Sequence, residues 1–138
     1  MKSGRLLGLD VGKRRVGVAV SDPLGLSARP LTTVARTSDD TDLERLAALA
    51  REYQAVRLVV GLPRHLDGRE AELAAEVREF AQRLAQHCQL PLVWAEERLS
   101  SKEAERVLAE LGVAPEKRRR RRDEVAAALI LTWYLESR

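Results

Sequence analysis

The spacing of apolar positions changes along the chain, and the changes divide it into elements. Residues 5 to 11 (RLLGLDV) and 16 to 21 (VGVAVS) are short and rich in Val and Leu, with Gly12, Lys13, Arg14 and Arg15 between them. Such a pair predicts a β-hairpin with a basic tip. After the turn-like DPLG at 22 to 25, residues 30 to 35 (PLTTVA) supply a third short strand of the same meander. The spacing then becomes helical. SDDTD at 38 to 42 offers N-caps and first-turn acids, and Leu43, Leu46, Ala47 and Ala50 recur toward Tyr53. Residues 56 to 62 (VRLVVGL) form a strongly apolar strand stopped by Pro63, and RHLDGR leads into a helix over about 70 to 87 with Leu73, Ala74, Val77, Ala81 and Leu84 on one face. Residues 90 to 95 (LPLVWA) make a fifth strand running into Glu96 and Glu97. Ser100 and Glu103 form a capping box for a helix that Gly112 closes. A last helix begins at Asp123 (DEVAAALILTWYLESR), with Val125, Leu129 and Trp133 at i, i+4 spacing. Three strands in hairpins followed by alternating helices and strands predict an α/β fold, a mixed sheet with helices on both faces.

At 138 residues the chain is expected to be one domain, 1–138, with a real core. Charges interrupt every apolar run well short of the ~18 residues of a membrane span. MKSGR leads straight into a strand-like run with no apolar leader, so the expectation is a soluble, cytoplasmic protein with no membrane partner. The single cysteine, Cys88, rules out an internal disulfide and fits a reducing compartment; it reads as a small packed or half-exposed residue near a helix end. Net charge is +3, yet residues 117 to 122 (KRRRRR) carry six positive charges, leaving −3 on the rest (+3 less +6). Basicity is therefore local. A block of like charge reads as a solvated, mobile loop whose commonest use is to meet an acidic polymer such as nucleic acid.

Acids raise the question of chemistry. Asp10 stands inside an apolar strand, where a carboxylate is depleted and costly to bury unpaired. The bland reading puts it at the strand's end, accepting bonds from the glycine turn. Glu96 and Glu97 end the LVWA strand, and Asp123 begins an apolar helix; these too have plain readings, as solvated turn residues and as an N-cap. If Asp10, Glu97 and Asp123 converge, their repulsion calls for a hard divalent cation, Mg²⁺ or Mn²⁺, and two such ions ~4 Å apart suit in-line phosphodiester displacement. Other sites fail by inventory. Gly8 to Lys13 is one residue short of a phosphate-binding loop and has Arg14 where Ser or Thr should bind magnesium. His65 and His87 lack partners at ligand spacing and read as surface residues, and Ser100 and Ser101 read as helix caps. Gly61 and Gly68 read as positions of tight turn or close backbone approach.

The stretches LGLDVGKRRVGVAVSD, VVGLPRHLDGRE, EERLSSKEAERVL and DEVAAALIL, in this order, resemble the YqgF/RuvX family of Holliday-junction resolvase-like nucleases over about residues 5 to 135. The resemblance implies a ribonuclease H-like fold, a five-stranded mixed sheet with three antiparallel strands first. It implies metal-dependent phosphodiester cleavage that leaves a 5′-phosphate, either in processing the 5′ end of precursor 16S ribosomal RNA or on branched DNA. Carried over by motif, the family's acids fall on Asp10, Glu97 and Asp123. Glu96 stands where the family has Asp, and alternation along a strand points only one of the two glutamates inward; Glu97 is the choice. Lys13, Arg14, Arg15, Arg98 and the run Arg118, Arg119, Arg120, Arg121, Arg122 are the expected contacts to backbone phosphates. With 4% aromatic residues there is little for base stacking, so structured RNA or branched DNA is the expected partner. A homodimer would suit paired cuts on a four-way junction and is not required for trimming RNA. Two other classes stand beside this one. A binding scaffold without cleavage is disfavoured by the presence of all three acids, and an ATP-binding module of the actin and sugar-kinase kind by the chain's length.

Overall fold

Alternation along the first two strands sets the two faces of the sheet. In β1 (Arg5–Val11), Leu7, Leu9 and Val11 turn to one side and Leu6, Gly8 and Asp10 to the other. β2 (Arg15–Ser21) returns antiparallel in a register that sets Leu9 opposite Val18 and Asp10 opposite Gly17. β3 (Ala28–Ala35) continues the meander, while β4 (Ala55–Pro63) and β5 (Leu92–Glu97) add parallel to β1, giving the order β3-β2-β1-β4-β5. This computed structural model describes residues 4–63, 68–97, 106, 108–110, 112 and 114–138.

Helices cover both faces, as the patterning implied. α1 (Asp39–Glu52) and α2 (Gly68–Cys88) bury Leu43, Leu46, Ala50, Val77, Phe80, Ala81 and Leu84 against Leu7, Leu9, Val16, Val18 and Val20. Each fully buried Leu or Val of that layer contributes about 1.5–3 kcal/mol. Ser38 caps α1 by accepting from the Thr41 amide at 3.3 Å. On the opposite face α3 (Pro115–Glu136) packs Ala127, Ala128, Ile130 and Leu131 onto Leu6, Ala19, Val59 and Ala95. Among the described residues no helix is long and apolar enough to cross a membrane.

The close seating of α3 depends on absent side chains. A Cβ on Gly17 would overlap the Asp123 backbone, one on Gly8 would come 3.0 Å from the Leu131 Cβ, and one on Gly61 would come 2.6 Å from the Ile130 Cδ1. Asp123, Ala127 and Leu131, at i, i+4 and i+8, thus form the seam laid on β1 and β2. This corrects the expected face of Val125, Leu129 and Trp133: Val125 is buried, but Leu129 and Trp133 are only partly so. The glycine track, rather than the largest side chains, decides which way the helix turns.

Two boundaries also differ. KRRRRR is not a loop; its backbone is helical, and α3 begins at Pro115, eight residues before Asp123. Pro at the first helical position and Arg's high helix propensity favour the extension, Arg121 Nε pairs with Glu124 Oε1 at 2.8 Å, and the buried second half anchors the helix. Asp123 is consequently an interior helical residue and not an N-cap. Glu96 and Glu97 lie within β5 and not in a turn after it. The helix expected from Ser100 falls mostly outside the described residues, Ser100, Ser101 and Glu103 included; residues 106 and 108–110 are helical, Leu108 is fully buried, and Gly112 has φ +76° as a helix-closing glycine should.

Candidate active site at the carboxyl edge of the sheet

The three parallel strands end at one edge, and the candidate acids lie there. Asp10 is the penultimate residue of β1, partly buried, with its neighbours Leu6 and Gly8 both turned toward α3. Alternation puts Asp10 on that same side. Its cross-strand partner is Gly17, whose missing side chain admits the Asp123 backbone, so this glycine lets the α3 backbone at Asp123 lie close beside β1 at Asp10. Position 97 pairs with Pro63 two residues beyond the Gly61–Ala95 pair, and Ala95 packs in the α3 layer. Register therefore sets position 97 on the α3 face and position 96 on the α1 and α2 face, with β4 lying between β1 and β5. The side chain of Glu97 lies outside the described residues, as do Arg98, His65 and the side chains of Arg118, Arg119 and Arg120. Among the described residues no group of three His, Cys, Asp or Glu side chains is placed to hold a metal ion.

Charge is arranged around these acids by the hairpin tip. Lys13, Arg14 and Arg15 are exposed, and the Arg15 Nε donates to Asp123 Oδ2 at 2.7 Å. That contact tests what the donor set attracts: the Asp123 carboxylate already draws a cation. Hard oxygen donors from Asp10 and Asp123 are the chemistry that Mg²⁺ and Mn²⁺ take, so these residues fit such an ion. The described part of the Arg run extends the positive surface, since the eight residues from Pro115 to Arg122 carry α3 about 12 Å beyond Asp123.

A second arginine fixes the tip from behind. Arg36 Nε donates to Asp42 Oδ2 at 2.8 Å, its Nη1 to the Gly12 carbonyl at 3.0 Å and its Nη2 to Asp39 at 3.0 Å, and its guanidinium lies 4.5 Å from the Phe80 ring centroid. The Arg36 amide also donates to the Arg14 carbonyl at 2.8 Å. Asp42 is fully buried. Burial works against its ionisation, but the Thr37 amide and hydroxyl and the Arg36 guanidinium hold its carboxyl below the usual value. Sequence reasoning missed this latch. A signal was available: Asp42 stands four residues before Leu46 and eight before Ala50, on the apolar face of α1.

The remaining positions hold simple roles. His87 is on the surface, 2.8 Å from Glu44. Cys88 is half-buried at the end of α2, and burial pushes its thiol pKa up, the opposite of a reactive thiolate.

A family model described as RuvX, Holliday junction resolvase, matches residues 4–137. The chain belongs to the RuvX family. Its RuvX relatives include two proteins each named "Putative pre-16S rRNA nuclease". One, from Roseiflexus sp. (strain RS-1), is 44% identical over 97% of this chain and 95% of its own. The other, from Symbiobacterium thermophilum, is 48% identical over 97% and 93%. Among solved structures the chain is similar to Thermus thermophilus RuvC in complex with a Holliday junction, with a TM-score of 0.63 and 17% identity over 97% of this chain and 94% of that one. The fowlpox virus resolvase bound to junction DNA gives a TM-score of 0.60 at 10% identity, covering 96% and 97%. At those identities the likeness speaks for the fold, which is ribonuclease H-like, as the RuvX resemblance implied.

Proposed function

We propose that this RuvX protein is a phosphodiester-cleaving endonuclease whose acids Asp10, Glu97 and Asp123 hold Mg²⁺ or Mn²⁺, and that its substrate is the 5′ region of precursor 16S ribosomal RNA. The observation that carries the reading is the approach of the Asp123 backbone to Gly17, the cross-strand partner of Asp10, at the edge where the parallel strands end. Two carboxylates brought near each other from different elements repel, and a divalent cation between them relieves that repulsion. A glutamate at position 97, on the same face, is the natural third donor. The divalent ion supplies Lewis acidity to the phosphoryl oxygen and an activated water for attack on phosphorus. The chain's own residues do the rest. Asp10 and Asp123 set the ion's place, and Gly17 sets their separation. Lys13, Arg14, Arg15 and the Arg118 to Arg122 stretch of α3 receive backbone phosphates, giving affinity without base reading. Arg98 follows β5 and joins them.

The rRNA assignment rests on relatives more than 40% identical and matched over nearly their whole length. A second reading, cleavage of branched DNA, is favoured by the family's resolvase description. The basic half of α3 speaks to both. Six consecutive bases on one helical stretch concentrate positive charge over less than two turns, which suits a groove or the angle between two duplex arms. A homodimer belongs to the branched-DNA reading alone, and a cytoplasmic site of action suits either. The test sets a labelled precursor 16S 5′-leader beside a labelled four-way DNA junction, with Mg²⁺ and with Mn²⁺. Cuts in the leader that vanish in Asp10→Asn support the rRNA nuclease, and symmetric junction cuts with an intact leader move the assignment to a resolvase. Silence on both, with binding retained, leaves a scaffold.

A further inference from the structure

At the mouth of the candidate site Arg15 pairs with Asp123, the two side chains being 46% and 22% exposed. Resting on the metal-dependent reading above, we infer that Arg15 is an exchangeable counter-ion: it neutralises Asp123 while the metal site is empty and passes to a substrate phosphate once a divalent ion takes the carboxylate. The contact and the ion compete for the same oxygen environment. A guanidinium nitrogen 2.7 Å from Oδ2 and a divalent ion bonded to that carboxylate at ~2.1 Å would stand only a few ångströms apart, two cations in strong repulsion. Only one of them can have the carboxylate at full strength.

Backbone geometry makes the exchange a side-chain event. Residue 15 is pinned in β2 opposite Ala35, and its carbonyl accepts from the Gly12 amide at 2.9 Å, so the strand stays while the side chain turns. Because the Arg15 side chain is half exposed, leaving Asp123 strands no buried charge. It stands among the bases of the tip, where an incoming phosphate offers it a replacement partner. Nucleic acid that draws Arg15 away frees Asp123 for the metal, and by linkage metal that frees Arg15 strengthens phosphate binding by the same factor. The site thus loads its metal more readily with substrate at the mouth.

The experiment follows the Arg15 Nε–H resonance and the carboxyl carbons of Asp10 and Asp123 by NMR through a Mg²⁺ titration of the full chain. The expected result is that the Arg15 signal moves, with the midpoint reported by the carboxyl carbons, to the position it already has in metal-free Asp123→Asn. Calorimetry on Arg15→Gln should show Mg²⁺ binding tightened by up to about fivefold, the range open to an exposed pair, and the gain should be absent in an Asp123→Asn background. Carboxyl carbons that saturate while the Arg15 signal stays still would overturn the exchange and leave the metal site standing. Carboxyl carbons that never move would remove the metal site and the exchange together.

Discussion

Two arginine–aspartate pairs flank the same hairpin tip, and their settings are opposite. Arg36 and Asp42 lie behind it, 19% and 1% exposed, with every face of the guanidinium engaged by Asp42, Asp39, the Gly12 carbonyl and the Phe80 ring. Arg15 and Asp123 lie in front, 46% and 22% exposed, joined by a bond of 2.7 Å. The first pair costs much to break because a charge would be left buried. The second can part into solvent. The same residue types thus serve as a latch and as a replaceable contact, and burial decides which.

The largest test of that contrast is Asp42→Ala. Removing one member of a buried pair should cost about 3–5 kcal/mol in urea unfolding and speed exchange of the Arg36 amide, whose acceptor is Arg14. A loss under ~1 kcal/mol would make the latch ornamental. Gly17→Ala comes next. With the Asp123 backbone in the way, overpacking should cost about 1–3 kcal/mol and push α3 off the sheet, so cleavage falls even where the variant folds. Activity retained at the wild-type level would break the claim that this glycine positions the acids.

Acid sharpens the comparison without a mutation. The folded-state pKa of Asp42 lies below the ordinary aspartate value, so its stabilisation is complete above that value and is lost as pH falls below it and through the folded pKa. Wild type should therefore lose stability below about pH 4, and Asp42→Asn, weaker at neutral pH, should fall less steeply over the same range. Equal slopes would mean that other carboxylates govern the acid limb. Smallest of all, Arg15→Gln should shift stability by less than ~1 kcal/mol, since Arg15 is half exposed and Asp123 keeps access to solvent.

Much of this arrangement was legible beforehand, and the unreadable parts share a cause. Period-two runs around Gly12 to Arg15 marked the hairpin, helical spacing from Leu43 to Ala50 marked α1, and Ser38 was readable as its cap. The Arg run was not readable as helix, because six like charges carry a solvated signature whatever the backbone does, and the anchor that keeps them helical lies downstream at Ile130 and Leu131. That the α3 backbone at Asp123 would come close to β1 at Asp10 could not be read from the sequence. Gly17 allows that approach, and a glycine in a strand discloses what comes near it only once register sets it opposite Asp10. Which of positions 96 and 97 lies on the α3 side of the sheet likewise awaited register, through Ala95 and the α3 layer.

The central claim is that the carboxylates gathered at Gly17 are a metal-dependent cleavage site. The most direct measurement is cleavage of precursor 16S leader RNA by metal-stripped protein, before and after Mg²⁺ or Mn²⁺ is restored, in wild type, Asp10→Asn and Asp123→Asn, with unfolding curves taken on each. The account predicts cleavage only with metal and only in wild type, from three proteins of comparable fold and RNA affinity. Undiminished cutting by either folded variant, or by stripped wild type, would contradict it.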